Sequence, residues 1–296
     1  MTESRWAGVV VNYNAGPALC DCVESLLAEG PDEIVVVDND SSDGSLAALR
    51  RAWPGVRIVA SGGNLGYARA ANLGIAATTA PVVAVLNPDT VVRPGAAKSL
   101  LARFDGEADL GALGPTLLNP DGTVYPSART VPSVADAVGH GLLLFVWTDN
   151  PYTRRYRQID ADAARPRDVD WVSGAAIWLR RRALDVVGGW DERYFMYVED
   201  VDLCWRLRGA GWRVAYEPGA VVEHLLGVST AGAPYRMITE HHRSLYRFAT
   251  RRFSGRKRAL LPAAAGFLGL RAVLAMGHHK AGVLRSRRTP APMANR

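Results

Sequence analysis

The sequence predicts an α/β protein with a mostly parallel central sheet flanked by helices, and three observations carry this prediction. Short runs rich in Val and Ile recur through residues 6–87. Longer amphipathic segments separate these runs, as crossover helices separate parallel strands. Each run ends in a polar or glycine-rich segment. Because parallel strands end at one edge of a sheet, these segments are expected to line a common ligand-binding crevice.

The elements of this sheet follow in order along the chain. β-Branched residues dominate the predicted strands, which cover Trp6–Tyr13, Glu33–Asp38, Val56–Ala60 and Val82–Asn87. Amphipathic segments predict the intervening helices, Pro17–Ala28, Ser45–Ala52 and Tyr67–Ala77. The segments that follow the four strands read NYNAG, DNDSSDG, SGGNLG and NPDT.

The pattern weakens beyond the fourth strand. A helix is predicted at Pro94–Phe104, before a stretch interrupted by Pro and Gly at Gly111–Pro132. Residues 133–168 give only weak signals. The remaining predictions are a strand at Trp171–Arg181, a helix after Tyr197 ended by Gly209 or Gly211, and a last strand at Val214–His224.

Composition excludes several classes of protein. Hydrophobic residues make up 48% and charged residues 22% of the 296 residues, which excludes collagen-like, coiled-coil and wholly disordered chains. The three cysteines, Cys20, Cys22 and Cys204, are too few for a disulfide framework, so we expect reduced thiols. The opening segment, Met1–Ala7, lacks the apolar core of a signal peptide, and we expect the protein to begin in the cytoplasm.

Charge divides the chain after Glu240, its last acidic residue. The net charge of +6 combines −7 over residues 1–240 with +13 over residues 241–296. We therefore expect one acidic domain of catalytic size, residues 1–240, and a basic tail, residues 241–296. Basic tails favour polyanions, either nucleic acid or an anionic membrane surface.

Polar side chains at the ends of the predicted strands are candidates for ligand binding. Asp38 closes the second strand, where a carboxylate can accept hydrogen bonds from a ribose or a base. Asp89 follows the fourth strand, in a position that suits Mg²⁺ or Mn²⁺, which prefer oxygen ligands. Ordinary turns would also explain both positions. His224, at the end of the last strand, would either complete a metal shell or be structural.

A second acidic group, Glu199, Asp200 and Asp202, follows the aromatic run Tyr194–Tyr197. Acidic residues stabilise the first turn of a helix, which explains their charge but not the aromatic run. A carboxylate beside aromatic surfaces suits a general base, and aromatic faces suit sugar rings. Neither a Ser/His/Asp elbow nor a Cys/His pair competes for the chemistry.

Together the motifs NYN, VVVDNDSSDG, NLGYARAAN, NPDT, WVSGAAIWLRR and GGWDERYFMYVEDVDL, with a late His, resemble the inverting glycosyltransferases of family 2, which have the GT-A fold. The resemblance covers about residues 6–226. Within the family, Asp121–Arg129 and Asp191–Leu203 are similar to L-rhamnosyltransferases that act on polyprenyl-diphosphate-linked N-acetylglucosamine. Within that group, the resemblance is strongest to the enzymes that build the rhamnose linker between peptidoglycan and arabinogalactan in the cell wall.

The resemblance implies roles for the matching residues. The donor, a nucleotide sugar such as dTDP-L-rhamnose, would contact Asn12, Asp38, Asn39, Asn64, Gly66, Tyr67, Arg69 and Asn87. Asp89 corresponds to the last carboxylate of the family's D-x-D metal motif, whose first position is Asn87 here, and His224 would be a further ligand of Mg²⁺ or Mn²⁺. Asp200 matches the catalytic base, with Glu199 as its neighbour. The acceptor would lie against Gly174, Trp171 and Arg129.

The implied reaction is a single displacement with inversion. The base takes the proton of an acceptor hydroxyl, and the oxygen attacks the anomeric carbon opposite the nucleoside diphosphate, so that a β-L-rhamnosyl donor gives an α-L-rhamnoside. Another nucleotide sugar, a polysaccharide acceptor, or an inactive nucleotide-sugar-binding protein remain alternatives. A nucleotidyltransferase is disfavoured because NYNAGPA contains no basic residue. A nucleic-acid-binding protein would leave the acidic domain unexplained.

The basic tail contains a 19-residue apolar stretch, Ala259–Gly277, whose length approaches that of a membrane span. Arg271 near its middle and the basic residues at both ends instead favour a helix that lies in the membrane interface. We therefore expect peripheral binding to the cytoplasmic face of the plasma membrane, where a polyprenyl-linked acceptor presents its sugar. A solvated basic tail is the alternative.

Overall fold

The structure is a computed structural model that describes residues 5–144, 146–159, 161, 163–225 and 232–288, with side chains described up to residue 281. The strands are β1 (Trp6–Asn12), β2 (Glu33–Asp38), β3 (Arg57–Ala60), β4 (Val82–Leu86), β5 (Thr90–Val92), β6 (Leu110–Leu118), β7 (Val124–Tyr125), β8 (Ala128–Arg129), β9 (Arg167–Asp168), β10 (Trp171–Val172), β11 (Ala176–Arg180) and β12 (Arg213–His224). The helices are α1 (Ala18–Ala28), α2 (Ser45–Ala52), α3 (Tyr67–Ala76), α4 (Ala96–Gly106), α5 (Val134–Leu143), α6 (Pro151–Arg157), α7 (Arg181–Val187), α8 (Glu199–Gly209), α9 (Pro234–Arg252) and α10 (Leu261–Arg288), with a 3₁₀ helix at Gly255–Leu260.

The central sheet has the strand order β3-β2-β1-β4-β11-β6-β12-β5. Strands β3, β2, β1 and β4 are parallel, which confirms the α/β prediction, and β6 is parallel to β12. Strand β11 runs antiparallel between β4 and β6 and joins the two parallel groups. The register places Asn12 beside Asp38, so the polar segments after β1 and β2 lie at one edge, as predicted.

Helices cover both faces of this sheet because the apolar side chains of β1 and β2 alternate between them. Val10 and Val36 face the cluster that also contains Leu19 of α1 and Leu100 of α4. On the other face, α3 lies so close to β1 and β2 that a Cβ on Gly74 would be 2.2 Å from Val9 Cγ1. The core therefore lies on the two faces of the sheet and leaves its polar edge free.

The predicted strand Trp171–Arg181 is wrong as a single element. The chain forms two strands, β10 and β11, which belong to different sheets: β10 pairs with β8, whereas β11 pairs with β4 and β6. The backbone between them leaves the ladder because the peptide groups of Gly174 bond to side chains of the candidate site. Sequence hydropathy does not register such a break, since the residues on both sides are buried.

Strand β6 was not predicted, because it overlaps the stretch Gly111–Pro132, which is interrupted by Pro and Gly. Its glycines serve close packing rather than turns, because a Cβ on Gly114 would lie 2.6 Å from Val172 Cβ. Pro115 pairs with Glu217 where the register between β6 and β12 shifts, between Glu217 and Val221, so the sheet accommodates the proline at an irregularity. Glycine and proline therefore misled the prediction here.

The chain forms two compact units, residues 1–231 and residues 232–296. The boundary expected at residue 240 from charge falls inside α9, so the change of charge and the change of fold do not coincide. In the second unit, Gly255–Ala281 is long and apolar enough to cross a membrane, and none of its apolar window is buried.

Gly74→Ala is expected to lower the free energy of unfolding by about 1–3 kcal/mol, because the added methyl group would collide with Val9 and Val37 in a well-packed layer. Urea unfolding of the two proteins measures this difference. The matched control is Gly106→Ala at the end of α4, where a Cβ meets nothing within 4 Å. A control as unstable as Gly74→Ala would contradict the packing explanation.

Candidate active site

A polar network fixes the loop that follows β2. The Asn12 side chain donates hydrogen bonds to Ser41 Oγ (3.0 Å) and Ser45 Oγ (3.1 Å), and a longer one to Asp38 Oδ1 (3.5 Å). The backbone N–H of Ser41 also donates to Asp38 Oδ1 (3.2 Å). Within the described part of the chain, the buried Asn12 Oδ1 has no hydrogen-bond partner. Asn12 and Asp38 are thus brought together, as predicted.

A second loop connects this edge to the aromatic segment. Asn39 Oδ1 accepts the N–H of Leu65 (2.9 Å), and its amide donates to Asn64 Oδ1 (3.1 Å). Gly66 has φ +84°, and a Cβ there would lie 2.4 Å from the carbonyl oxygen of Phe195. This position therefore requires glycine. The next residue, Tyr67, donates its backbone N–H to the same carbonyl (2.8 Å).

The backbone of Gly174 joins Tyr67 to Asp200. The buried Tyr67 hydroxyl donates to the carbonyl oxygen of Gly174 (2.6 Å), and the Gly174 N–H donates to Asp200 Oδ2 (2.9 Å). The Tyr67 ring contacts Trp190 edge to face, with centroids 5.6 Å apart. Burial raises the pKa of the Tyr67 hydroxyl well above its ordinary value, so it stays a donor.

Glu199 and Asp200 begin α8 behind two strained residues. Tyr197 and Val198 both have φ of +68°, a conformation that costs a β-branched residue free energy and clusters at functional sites. Burial raises the pKa of the Glu199 carboxyl well above its ordinary value, and the charge of Asp200 adds to this. Among the described residues, the buried Glu199 Oε2 has no partner.

Asp200 experiences a different balance. Burial raises its pKa, but the hydrogen bonds from the N–H groups of Gly174 and Val201 and the charge of Arg129 oppose the rise. The Val201 N–H lies 2.8 Å from Asp200 Oδ1. Of the two adjacent acids, Asp200 is therefore the one whose ionised form receives hydrogen bonds and a nearby positive charge, although burial still raises its pKa. Pairs of acids that differ in this way mark acid and base roles.

Asp89, His224 and Asn87 meet at the end of β4. His224 Nε2 lies 3.2 Å from Asp89 Oδ1 and 3.3 Å from the amide nitrogen of Asn87. All three side chains are buried or partly buried, and in the described residues the buried His224 Nδ1 has no partner. No group of three His, Cys, Asp or Glu side chains that could hold a metal occurs in the described residues. A carboxylate, an imidazole and an amide oxygen nevertheless make a donor set that fits Mg²⁺ or Mn²⁺.

Two of the three residues expected at the acceptor form a cluster beside Asp200. Arg129 and Trp171 are paired across β8 and β10, and the guanidinium of Arg129 lies 5.0 Å from the Trp171 ring. The indole N–H of Trp171 donates to the carbonyl oxygen of Thr130 (3.1 Å). Gly174, the third residue, follows β10 and contacts Asp200 directly.

Arg69 lies apart from these contacts. Its exposed guanidinium is 3.5 Å from Glu192, with both side chains about half exposed. A role at the donor diphosphate therefore stays a prediction. Sequence reasoning missed Trp190, whose ring supports Tyr67, and Arg157 beside Arg129; an aromatic residue inside GGWDERY was the available signal for Trp190, whereas Arg157 lies in a segment with no recognisable motif.

Comparisons with known proteins agree with this geometry. The sequence model of glycosyl transferase family 2 matches residues 9–188. The chain is 40% identical to the N-acetylglucosaminyl-diphospho-decaprenol L-rhamnosyltransferase of Mycobacterium tuberculosis, over 95% of this chain and 94% of that enzyme. It is 36% identical to the pre-mycofactocin glycosyltransferase of the same organism, over 54% of this chain and 30% of the relative.

Solved structures show the same fold. The mannosyltransferase PcManGT from Pyrobaculum calidifontis, in complex with GDP-Man and Mn²⁺, matches with a TM-score of 0.57 and 17% identity, over 99% of this chain and 78% of that one. GalNAc-T7 with UDP, GalNAc and Mn²⁺ matches with a TM-score of 0.61 and 16% identity, over 91% and 55%. The chain is a glycosyltransferase with the GT-A fold and belongs to glycosyl transferase family 2.

Proposed function

We propose that the protein transfers L-rhamnose from dTDP-L-rhamnose to polyprenyl-diphosphate-linked N-acetylglucosamine in cell-wall synthesis. The observation that carries this proposal is the 40% identity, over 95% of the chain, to an enzyme named for that reaction. The site supports it, because a buried carboxylate held by two backbone N–H groups lies near the aromatic side chains of Tyr67 and Trp190.

In this proposal Asp200 is the general base. Its Oδ2 is held by the Gly174 N–H, and Oδ1 by the Val201 N–H, so the carboxylate has a fixed direction before substrate binds. The carboxylate takes the proton of the acceptor hydroxyl as that oxygen bonds to the anomeric carbon, and the bond to the donor diphosphate breaks on the opposite face. The bonding electrons leave with the diphosphate, and the configuration inverts.

The donor would bind along the polar edge of the sheet. Asn12, Asp38 and Asn39 would contact the base and ribose, because they end β1 and β2 at the edge where ligands bind in open α/β sheets. Asn64, Gly66 and Tyr67 would shape the sugar pocket. Support for this comes from the two loops being tied together by the Asn39–Asn64 hydrogen bond of 3.1 Å.

Asp89, His224 and Asn87 would hold a divalent cation, Mg²⁺ or Mn²⁺. When bound, such an ion neutralises negative charge that develops on the leaving diphosphate. Asp89 is positioned by its backbone, whose carbonyl oxygen accepts the N–H of Leu225 (2.9 Å). Asn87 is held by a backbone hydrogen bond to Ala175 (2.8 Å), so both residues are fixed before any ion arrives.

The second unit would dock the protein on the cytoplasmic face of the plasma membrane without crossing it. Arg271 in α10 lies 3.0 Å from His242 of α9, and the rings of Tyr235 and His279 are 5.5 Å apart, so the two helices pack together. Helix α9 is rich in arginine, and burying it in hydrocarbon beside α10 would be costly. Exposed Leu and Val side chains on α10 would enter the interface instead.

Asp200→Asn is expected to lower turnover by about 10²- to 10⁴-fold while preserving donor binding, because the amide cannot accept the proton. In the wild type, kcat/KM should rise with pH through the raised pKa of Asp200, since only the ionised carboxylate acts as the base. Steady-state kinetics and donor titration measure both. Glu199→Gln is the neighbouring comparison, and a dead Glu199→Gln beside an active Asp200→Asn would reverse the assignment.

Removal of divalent cations by EDTA should abolish transfer, and added Mg²⁺ or Mn²⁺ should restore it. Asp89→Asn should need more cation for half-maximal activity, because a charged ligand is replaced by a neutral one. Asp185→Asn, at an exposed carboxylate on α7, is the control that should leave the requirement unchanged. Full activity in EDTA would refute a metal role. If the wild type binds the donor but shows no turnover even with added cation, the protein would instead be an inactive nucleotide-sugar-binding protein.

The full chain should float with anionic liposomes and be released by high salt, whereas a chain ending after residue 231 should not float. Basic residues near an anionic surface each contribute about 1 kcal/mol, so replacing Arg256, Lys257 and Arg258 by Gln should lower the salt concentration needed for release. Equal flotation of the shortened chain would contradict this docking. Resistance of the full chain to both salt and carbonate would indicate a membrane span.

A further inference from the structure

The groups that form hydrogen bonds with the Arg129 guanidinium are neutral. The guanidinium donates hydrogen bonds to the carbonyl oxygen of Pro126 (2.6 Å) and to the hydroxyls of Tyr125 (2.8 Å) and Tyr156 (3.4 Å). It also lies 5.0 to 5.5 Å from the ring centroids of Tyr125, Tyr156 and Trp171. These contacts hold the cation in place without neutralising its charge.

Arg157, at the end of α6, brings a second positive charge to this cluster. The residue before it, Tyr156, accepts a hydrogen bond from Arg129 (3.4 Å), which brings Arg157 to the same cluster. Burial lowers the pKa of Arg157, and the charge of Arg129 lowers it further. Its Nε is buried without a hydrogen-bond partner in the described residues. Across the same described ranges, neither Arg129 nor Arg157 forms an ion pair with a carboxylate. A partly buried pair of like charges is costly unless an anion joins it.

The other arginines of α6 show that acidic partners are available to this helix. Arg154 lies 2.9 Å from Asp149, and Arg155 lies 2.6 Å from Asp136. Of the three arginines of α6, only Arg157 lacks such a partner among the residues described. The arrangement therefore favours an external anion at the pair.

The pair is close to the proposed base. Arg129 lies on strand β8, and Ser127 directly precedes this strand. The carbonyl oxygen of Ser127 accepts the N–H of Ser173 (2.9 Å), and the next residue, Gly174, donates its N–H to Asp200. The charge of Arg129 also acts on Asp200, as its opposition to the raised pKa of that carboxyl shows. An anion bound by the two arginines would thus lie on the acceptor side, beside the attacking hydroxyl.

Helix α5, which packs against α6, exposes an apolar stripe. Val134, Val138 and Leu142 of α5 are 50%, 37% and 44% exposed and follow one another at intervals of four residues, so they lie on one face of the helix. Helix α5 is fixed to α6 by the hydrogen bond between His140 Nδ1 and Thr153 Oγ1 (2.9 Å). An exposed apolar surface on α5, together with two arginines at the adjoining α6, fits a lipid-linked diphosphate better than a free nucleotide.

We propose that Arg129 and Arg157 together bind the diphosphate of the lipid-linked acceptor and so place its sugar hydroxyl at Asp200. This inference rests on the proposed function for the identity of the acceptor. Guanidinium groups suit it because their planar donors bind phosphate oxygens in pairs. The aromatic rings around Arg129 position one guanidinium, and α6 positions the other.

The test compares two acceptors, geranyl-diphospho-N-acetylglucosamine and the uncharged octyl β-N-acetylglucosaminide. Arg157→Gln should reduce the preference for the diphosphate acceptor, expressed as the ratio of the two kcat/KM values, by about 10- to 100-fold, the range of a lost charged hydrogen bond. Arg155→Gln is the matched control on the same helix, and its ratio should match that of the wild type. Isothermal titration with geranyl diphosphate gives an independent readout, in which Arg157→Gln should weaken binding about tenfold or more.

The outcomes separate the two proposals. A raised KM for the nucleotide sugar with an unchanged acceptor preference would assign the pair to the donor and overturn this inference. An equal loss with both acceptors, or unchanged binding of geranyl diphosphate, would also overturn it, since a structural role does not discriminate charge. If the wild type transfers to neither acceptor while geranyl diphosphate still binds through Arg157, the proposed function fails and the anion site stands.

Discussion

The backbone of Gly174 makes the contacts on which the rest of the site depends. Its carbonyl oxygen accepts the buried Tyr67 hydroxyl, and its N–H donates to Asp200, so the backbone of one residue joins Tyr67 to the carboxylate of α8. A Cβ at this position would lie 3.3 Å from Asp200 Cβ, which leaves little room for a larger residue. The chain leaves the sheet between β10 and β11 to make these two bonds. The break in the strand is therefore part of the site rather than a defect of the sheet.

The environment gives the two adjacent acids different properties. Glu199 is buried, its Oε2 has no hydrogen-bond partner among the described residues, and its raised pKa keeps it protonated over a wider pH range than an exposed glutamate. Asp200 receives two backbone N–H groups and the field of Arg129, all of which favour its charge. Val198, in the left-handed conformation, immediately precedes the first turn of α8, from which Asp200 reaches the Gly174 N–H. Backbone strain and selective hydrogen bonding therefore support the different roles proposed for the two acids.

Sequence reasoning was most successful where chemistry is local. Val-rich runs predicted β1, β2 and β4 to within one residue at each end, because buried parallel strands have a distinctive composition. The contact between Asp89 and His224 also followed from strand ends, although 135 positions separate them in the chain. By contrast, β6 was hidden by Gly114 and Pro115, and the close packing of Gly114 depends on Val172, a residue far away in the sequence. Arg157 could not be found from the sequence, because its significance depends on tertiary contacts: Asp136 of α5 pairs with Arg155, whereas Arg157 has no such partner among the described residues.

Electrostatics links these features to the charge of the whole chain. Residues 1–240 carry a net charge of −7, and the proposed reaction brings two diphosphates to that part of the chain. Local positive charge must therefore offset a repulsive field at each diphosphate. On the donor side, the cation proposed at Asp89 and His224 would supply it. On the acceptor side, Arg129 would supply the positive charge. Among the described residues, aromatic rings rather than acidic side chains contact its guanidinium, so this charge remains available. An acidic partner for that arginine would stabilise the free protein and weaken its attraction for the substrate.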